Sequence, residues 1–206
     1  MVGGCVITAP SMLRTWIADR RWVIAFAVAG VLAASAMPGA AWDDYLLRDY
    51  GLSLHVYKHE RVMELRDNGR LLRRFDIRLG GDPYRPKRAM GDERTPVGRY
   101  YVREKNTRSN YRRFLGINYP SIADADRGLR EGLIDEDEWA DIFFSNVRGA
   151  MPPSSTRLGG RIGIHGYGGR PEIPNDWTQG CIAVSDPEID YLFATVDVGT
   201  PVLIYD

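Results

Sequence analysis

LSLHVYKHERVMELRDNGRLLRRFDIRL, residues 52–79, is the stretch from which the fold is read. In LSLHVYK and RVMELRD apolar residues fall at every second position, the period of a strand with one buried face. Asn68-Gly69 follows, a two-residue hairpin signal because both residues tolerate positive φ. A third strand is expected over Arg70 to Leu79, ending at Gly80-Gly81. Three antiparallel strands therefore open the domain.

Outward from this hairpin the chain stays rich in turns, with 12 prolines and 22 glycines. A basic loop over Gly80 to Thr95 leads through Thr95-Pro96-Val97-Gly98 into a strand, RYYVREK. The period then changes. Ile122, Ala125, Leu129, Leu133, Ile134, Trp139, Ile142 and Phe143 recur every three or four residues, which predicts one or two amphipathic helices broken near Gly132. RIGIHGYGG reads as a strand ending at Gly166, and a loop runs from there to Gly180. Ser185 or Asp186 can cap a short helix, with Pro187 suited to its first turn. Thr200 to Tyr205 closes with a strand. The expected class is mainly β with inserted α-helices (α+β).

Formal net charge is zero, so composition gives no reason to expect a nucleic-acid partner. The N-terminus differs from the rest. Arg20-Arg21 precede the apolar run WVIAFAVAGVLAASAM (Trp22 to Met37), then Pro38 and the small residues Gly39, Ala40 and Ala41. A positive flank, an apolar core and a small-residue exit make a signal peptide over residues 1–41. An uncleaved N-terminal membrane anchor is the rival reading, since the run extended to Ala41 approaches spanning length. Either way residues 42–206 form an exported domain, in the periplasm or cell envelope. Without residues 1–41 the chain loses Arg14, Arg20, Arg21 and Asp19 and has a net charge of −2.

That domain has one cysteine, Cys181, within WTQGCIAV (Trp177 to Val184). In an oxidising compartment an odd cysteine suggests a reactive thiol, although a free cysteine also packs as a small apolar residue. A thiol becomes a strong nucleophile when a base takes its proton. The chain has three histidines. His55 and His59 share one strand face without a supporting cluster of acids or cysteines, and read as exposed strand residues. His165 ends a short apolar strand before Gly166 and lies 16 positions before Cys181. Two strand ends joined by such a loop can meet, and the Gly180 and Cys181 amides could then face a developing oxyanion. Papain-like proteases are a poor match, because there the cysteine precedes the histidine.

IHG…TQGCIAV, with GD..TP.G upstream and GTPV.I at the end, resembles the YkuD-type L,D-transpeptidase catalytic domain over most of residues 50–206. The resemblance implies a β-sandwich-like domain. It implies Cys181 as nucleophile on a peptidoglycan stem peptide, with a thioester intermediate, and His165 as proton acceptor and donor. It requires no metal or organic cofactor. Thr178 occupies the family's Ser/Thr position, where it either supports the nucleophile or is a plain loop residue. Gly166 is expected to serve backbone geometry and to orient His165 through its carbonyl. Gln179 stands where histidine is common, and Ala183 where arginine or asparagine is common. Both bear on how substrate is held. The GCIA form resembles a subgroup associated with hydrolysis of wall linkages, so transfer and hydrolysis both stay open, with transfer leading. A non-catalytic wall-binding module has no need of either His165 or Cys181. Asn175 and Asp176 either touch substrate or serve a turn. Arg85, Lys87, Arg88, Arg108, Arg112 and Arg113 either meet wall carboxylates or form a solvated face. The expected partner is the stem peptide, with a membrane involved only through the N-terminal segment, and the protein is expected to be a monomer.

Overall fold

The computed structural model describes residues 51–206, so the expected export segment and the domain start at residue 42 lie outside the described residues. β1 (Leu52–Tyr57), β2 (Val62–Asp67) and β3 (Arg70–Asp76) form the antiparallel meander expected from the opening stretch. Its second turn has Asn68 at φ 50° and Gly69 at φ 79°. The third strand stops at Asp76 instead of running to Leu79. Beyond Asp76 the Ile77 amide turns to the Arg61 carbonyl, and Arg78 pairs with a strand from the other end of the chain.

β4 (Gly98–Ser109) is longer than RYYVREK, and β5 (Arg112–Ile117) is a strand that periodicity had not marked. α1 (Ile122–Arg130) and α2 (Glu136–Val147) are the two predicted helices. Both begin with a capping box, Ser121 with Asp124 and Asp135 with Glu138, and Gly132 takes φ 66° between them. β6 (Gly163–His165), β7 (Ile182–Ala183), α3 (Asp186–Thr195) and β8 (Pro201–Tyr205) complete the chain. Ser185 caps α3, with its amide and hydroxyl both donating to Glu188.

The eight strands make one mixed sheet in the order β3-β2-β1-β8-β4-β5-β6-β7. β4 is its corner. Residues 98–101 pair with β8, whereas residues 102–109 pair with β5 through two register shifts. Such irregularities let one strand pass between two packed sheet halves. The two ends of the sheet then meet. Arg78 donates to the Ala183 carbonyl at 2.9 Å, and Ala183 donates back to Arg78 at 2.8 Å. Inside this nearly closed sheet lies one apolar core, supplied by all eight strands and by α3. Ala125, Ile134, Ile142 and Leu158 form a separate small cluster beneath α1 and α2.

Asp176 strengthens the closure. Its carboxylate accepts the Leu79 amide at 2.7 Å and the Arg61 guanidinium at 2.9 and 2.8 Å. It therefore serves the backbone of the long loop. Asp176→Ala should destabilise the domain by about 2 kcal/mol, because it leaves an amide and a guanidinium without their acceptor. Neighbouring Asn175→Ala should cost less than about 0.5 kcal/mol. Urea unfolding midpoints check the difference.

Candidate active site

β6 and β7 run parallel, with Ile164 opposite Ile182 and His165 opposite Ala183. Side chains alternate along a strand, so Cys181, two residues before Ala183, shares the His165 face of the sheet. The nucleophile and base expected from sequence are thus diagonal neighbours, and both line a cleft of about 590 Å³ with Tyr111, Arg161, Trp177 and Gln179. They also line a second cleft of about 300 Å³, so the pair sits where the two spaces join.

His165 is buried, and its Nδ1 lies 2.8 Å from the Gly166 carbonyl oxygen. An imidazole bonded there carries its proton on Nδ1, leaving the Nε2 lone pair to accept another. The ring is stacked on Tyr111 at 4.5 Å and met edge-on by Trp177 at 5.7 Å. Gly166 has a second function as well. Its amide donates to the Tyr111 carbonyl, and an added Cβ would lie 2.4 Å from Asp186 Oδ1. That carboxylate accepts the Tyr167, Gly168 and Gly169 amides at 2.7, 3.0 and 2.6 Å, fixing the chain just after the histidine. Asp186, read from sequence as a cap candidate, is in fact the anchor of this turn.

Thr178 organises the other side. Its hydroxyl accepts the Gly180 amide at 3.1 Å and donates to the Cys181 carbonyl at 2.7 Å. The Gly180 amide, one of the two considered from sequence for an oxyanion, is therefore committed within the turn. Gly180 takes φ 118°, and an added Cβ would lie 2.4 Å from the Arg94 carbonyl oxygen, so no side chain fits. Gln179 is exposed at the rim of the larger cleft. Ala183 is fully buried beside His165, with both peptide groups held by Arg78.

Cys181 is partly exposed, and its sulfur lies 3.6 Å from the Arg161 carbonyl oxygen, to which the thiol donates. Burial pushes this thiol up to about 11, against the Gly163 amide and the Lys87 charge, which favour the thiolate. Burial lowers His165 below its ordinary 6.5, opposed by the bond to Gly166. Near neutrality the two groups are accordingly a thiol and a neutral imidazole.

The basic residues of the sequence reading divide. Arg85 pairs with Asp82, Lys87 with Asp92, Arg88 with Glu131, and Arg112 and Arg113 with Asp190. These charges are answered within the molecule; Arg108 alone of the six lines the second cleft. His55 bonds Ser53 and Tyr205, and His59 packs on Tyr84. Among the described residues no three His, Cys, Asp or Glu side chains gather as they would for a metal ion. Sequence reasoning gave no role to Tyr111, Trp177 or Arg161. Trp177 lay within the quoted motif, but Tyr111 reaches the site from the β4–β5 turn and has no local signal.

The chain spans about half the length of the solved structures it resembles. One is the helical cell shape determining protein Pgp2 (K307A mutant) from Campylobacter jejuni, 20% identical, with a TM-score of 0.54, covering 77% of this chain and 48% of that one. Another is Bd1075 from Bdellovibrio bacteriovorus, 19% identical, with a TM-score of 0.50, covering 76% and 48%. At such identities the likeness concerns the fold. No curated protein sequence matches the chain. The model of the YkuD family, described as the L,D-transpeptidase catalytic domain, matches residues 52–204, nearly the whole described region. The chain belongs to the YkuD L,D-transpeptidase catalytic-domain family.

Proposed function

We propose that this domain is a cysteine acyl-transferase acting on peptidoglycan stem peptides in the cell envelope. The observation that carries this reading is the placement of Cys181 and His165 on one sheet face where two clefts join. Acylation begins when the thiol leaves the Arg161 carbonyl and gives its proton to His165 Nε2. The sulfur attacks the carbonyl of the stem peptide, and the oxyanion is met by the Cys181 amide. The C–N bond breaks, the leaving amine takes the proton from His165, and a thioester remains. An acceptor amine then attacks the thioester. It loses its proton to His165, an amide forms, and the thiolate departs and is reprotonated. Water in place of the amine gives hydrolysis by the same steps. The charged flank, apolar run and small-residue exit of residues 1–41 support an envelope location.

Sacculus-derived muropeptides incubated with the domain should yield new cross-linked dimers that disappear with Cys181→Ala. Shortened stems without dimers would assign hydrolysis, and an unchanged mixture would contradict both.

The resting protonation states set a pH profile. Release of the terminal amino acid from a tetrapeptide stem should rise with pH through a midpoint below 6.5 and then level, because only neutral imidazole accepts the proton. His165→Ala should lower the rate at pH 7 by roughly 10²–10⁴-fold. It should also replace the plateau by a rise continuing towards the thiol's own ionisation at about 11. A preformed thiolate would instead keep substantial rate in the variant at pH 7.

A further inference from the structure

A further cleft, of about 320 Å³, opens on the outer face of the first three strands. It is lined by Tyr57, Glu60, Val62, Glu64, Arg66 and Arg74, none of which borders the clefts at Cys181 and His165. Leu54, Val56, Met63, Leu65 and Phe75 of the same strands are buried in the core. Side chains alternate along a strand, so Tyr57, Val62, Glu64, Arg66 and Arg74 stand on the opposite face. Register brings them together, with Tyr57 opposite Val62 and Glu64 opposite Arg74.

Glu64 belongs to the outward face, yet only 3% of it is exposed. Its Oε1 accepts Arg74 Nε and Nη2 at 3.2 and 2.7 Å, and its Oε2 accepts Arg66 Nε and Nη2 at 2.9 and 2.6 Å. A carboxylate buried under guanidiniums is often no more stable than apolar packing in its place, because desolvation offsets the attraction. What the arrangement does provide is two planar donor groups in fixed positions. Arg66 Nη1 reaches only the Gly69 carbonyl, at 3.4 Å, and Arg74 Nη1 makes no hydrogen bond among the described residues. Tyr57 is fixed as well, since its ring is stacked on Tyr205 at 5.2 Å. Its hydroxyl makes no hydrogen bond among the described residues.

The charges decide the class of ligand. Glu60 and Glu64 are balanced by Arg66 and Arg74, so the cleft is neutral as a whole and offers no net attraction to an ion. Its mixture of donors and acceptors suits hydroxyl groups, which use both. A tyrosine wall suits the weakly positive C–H face of a sugar, because the face of an aromatic ring is negative. The volume is at the lower end of the ~300–1,000 Å³ of small-molecule sites. The rim also adjoins the active-site loop, since Glu60 precedes Arg61, and Arg61 donates to Asp176, five positions before Cys181.

We propose that this cleft binds a neutral saccharide and, resting on the acyl-transfer reading, that the saccharide is a sugar of the glycan strand bearing the stem peptide. Its C–H face lies on Tyr57, its hydroxyl oxygens accept from Arg66 and Arg74, and one hydroxyl donates to Glu60. A glycan held here lies beside the turn that is bonded to the active-site loop. Binding therefore raises the local concentration of stem peptide without touching the reacting atoms.

The test titrates the full chain carrying Cys181→Ala with chitotetraose, a stem-free tetramer of N-acetylglucosamine, in a calorimeter. Saturable binding is expected. Tyr57→Leu should weaken it about tenfold, the size of one lost aromatic contact. Glu60→Gln, at an exposed turn position, should weaken it about fivefold while leaving the urea unfolding midpoint unchanged, a pattern that loss of structure does not produce. Excess inorganic phosphate should leave the affinity unaltered. No saturable binding, equal affinity in the parent and both variants, or competition by phosphate would overturn the assignment. Acylation is read separately, by mass, in the chain that retains Cys181. Chitotetraose binding without any acyl adduct from a tetrapeptide donor would overturn the acyl-transfer reading and leave the saccharide site standing.

Discussion

Two backbone hydrogen bonds between Arg78 and Ala183 hold the site in being. They join the chain just beyond the first hairpin pair to β7, at the far end of the sheet order. β7 has only two residues, too few to persist as a strand without partners on both sides. β6 supplies one partner and Arg78 the other. Net worth for such bonds is only about 1 kcal/mol each, so the closure also depends on Asp176 and on the core beneath Ile182 and Val184. The consequence is chemical, since the strand that ends in His165 and the turn that bears Cys181 are then fixed on one face.

That constraint also explains two departures from the common family pattern. Ala183 lies opposite His165 and between two strands, in a fully buried position where a small side chain packs without cost. Gln179 points to solvent at the cleft rim, so its identity is free to follow the ligand and not the fold. Gly180 has no such freedom, because Arg94 lies against it. Within the four residues Thr178 to Cys181, then, one side chain shapes the turn, one is exposed, one must be absent and one is the proposed nucleophile.

The parts of this arrangement legible in the sequence are those encoded by neighbours in the chain. Alternating apolar residues gave β1 and β2, Asn68-Gly69 gave their connection to β3, and the three-and-four spacing gave α1 and α2 with their break. His165 and Cys181 were legible as types in an exported-looking chain, and the order of their motifs gave the family. β5 was not legible, since RRFLGI has too short an alternation and owes its pairing to the bulged β4. The early end of β3 was equally hidden, because Arg78 leaves for a partner more than a hundred residues away. Tyr111 and Asp186 owe their places beside His165 to the same long-range pairings. Charge pairing was legible only in part: Arg85 and Lys87 meet Asp82 and Asp92 a few residues away, whereas Arg88, Arg112 and Arg113 meet Glu131 and Asp190 far along the chain.

Cys181 and His165, the proposed nucleophile and base, form a neutral pair, because burial disfavours both thiolate and imidazolium while Gly163 and Lys87 favour the thiolate. Exposure of the intact domain to a carbapenem, followed by intact mass and peptide mapping, tests this most directly. One covalent adduct carried by the peptide containing Cys181, and lost with Cys181→Ala, is the predicted result. Unmodified protein, or an adduct mapped to any other residue, would contradict the assignment of that sulfur as the nucleophile.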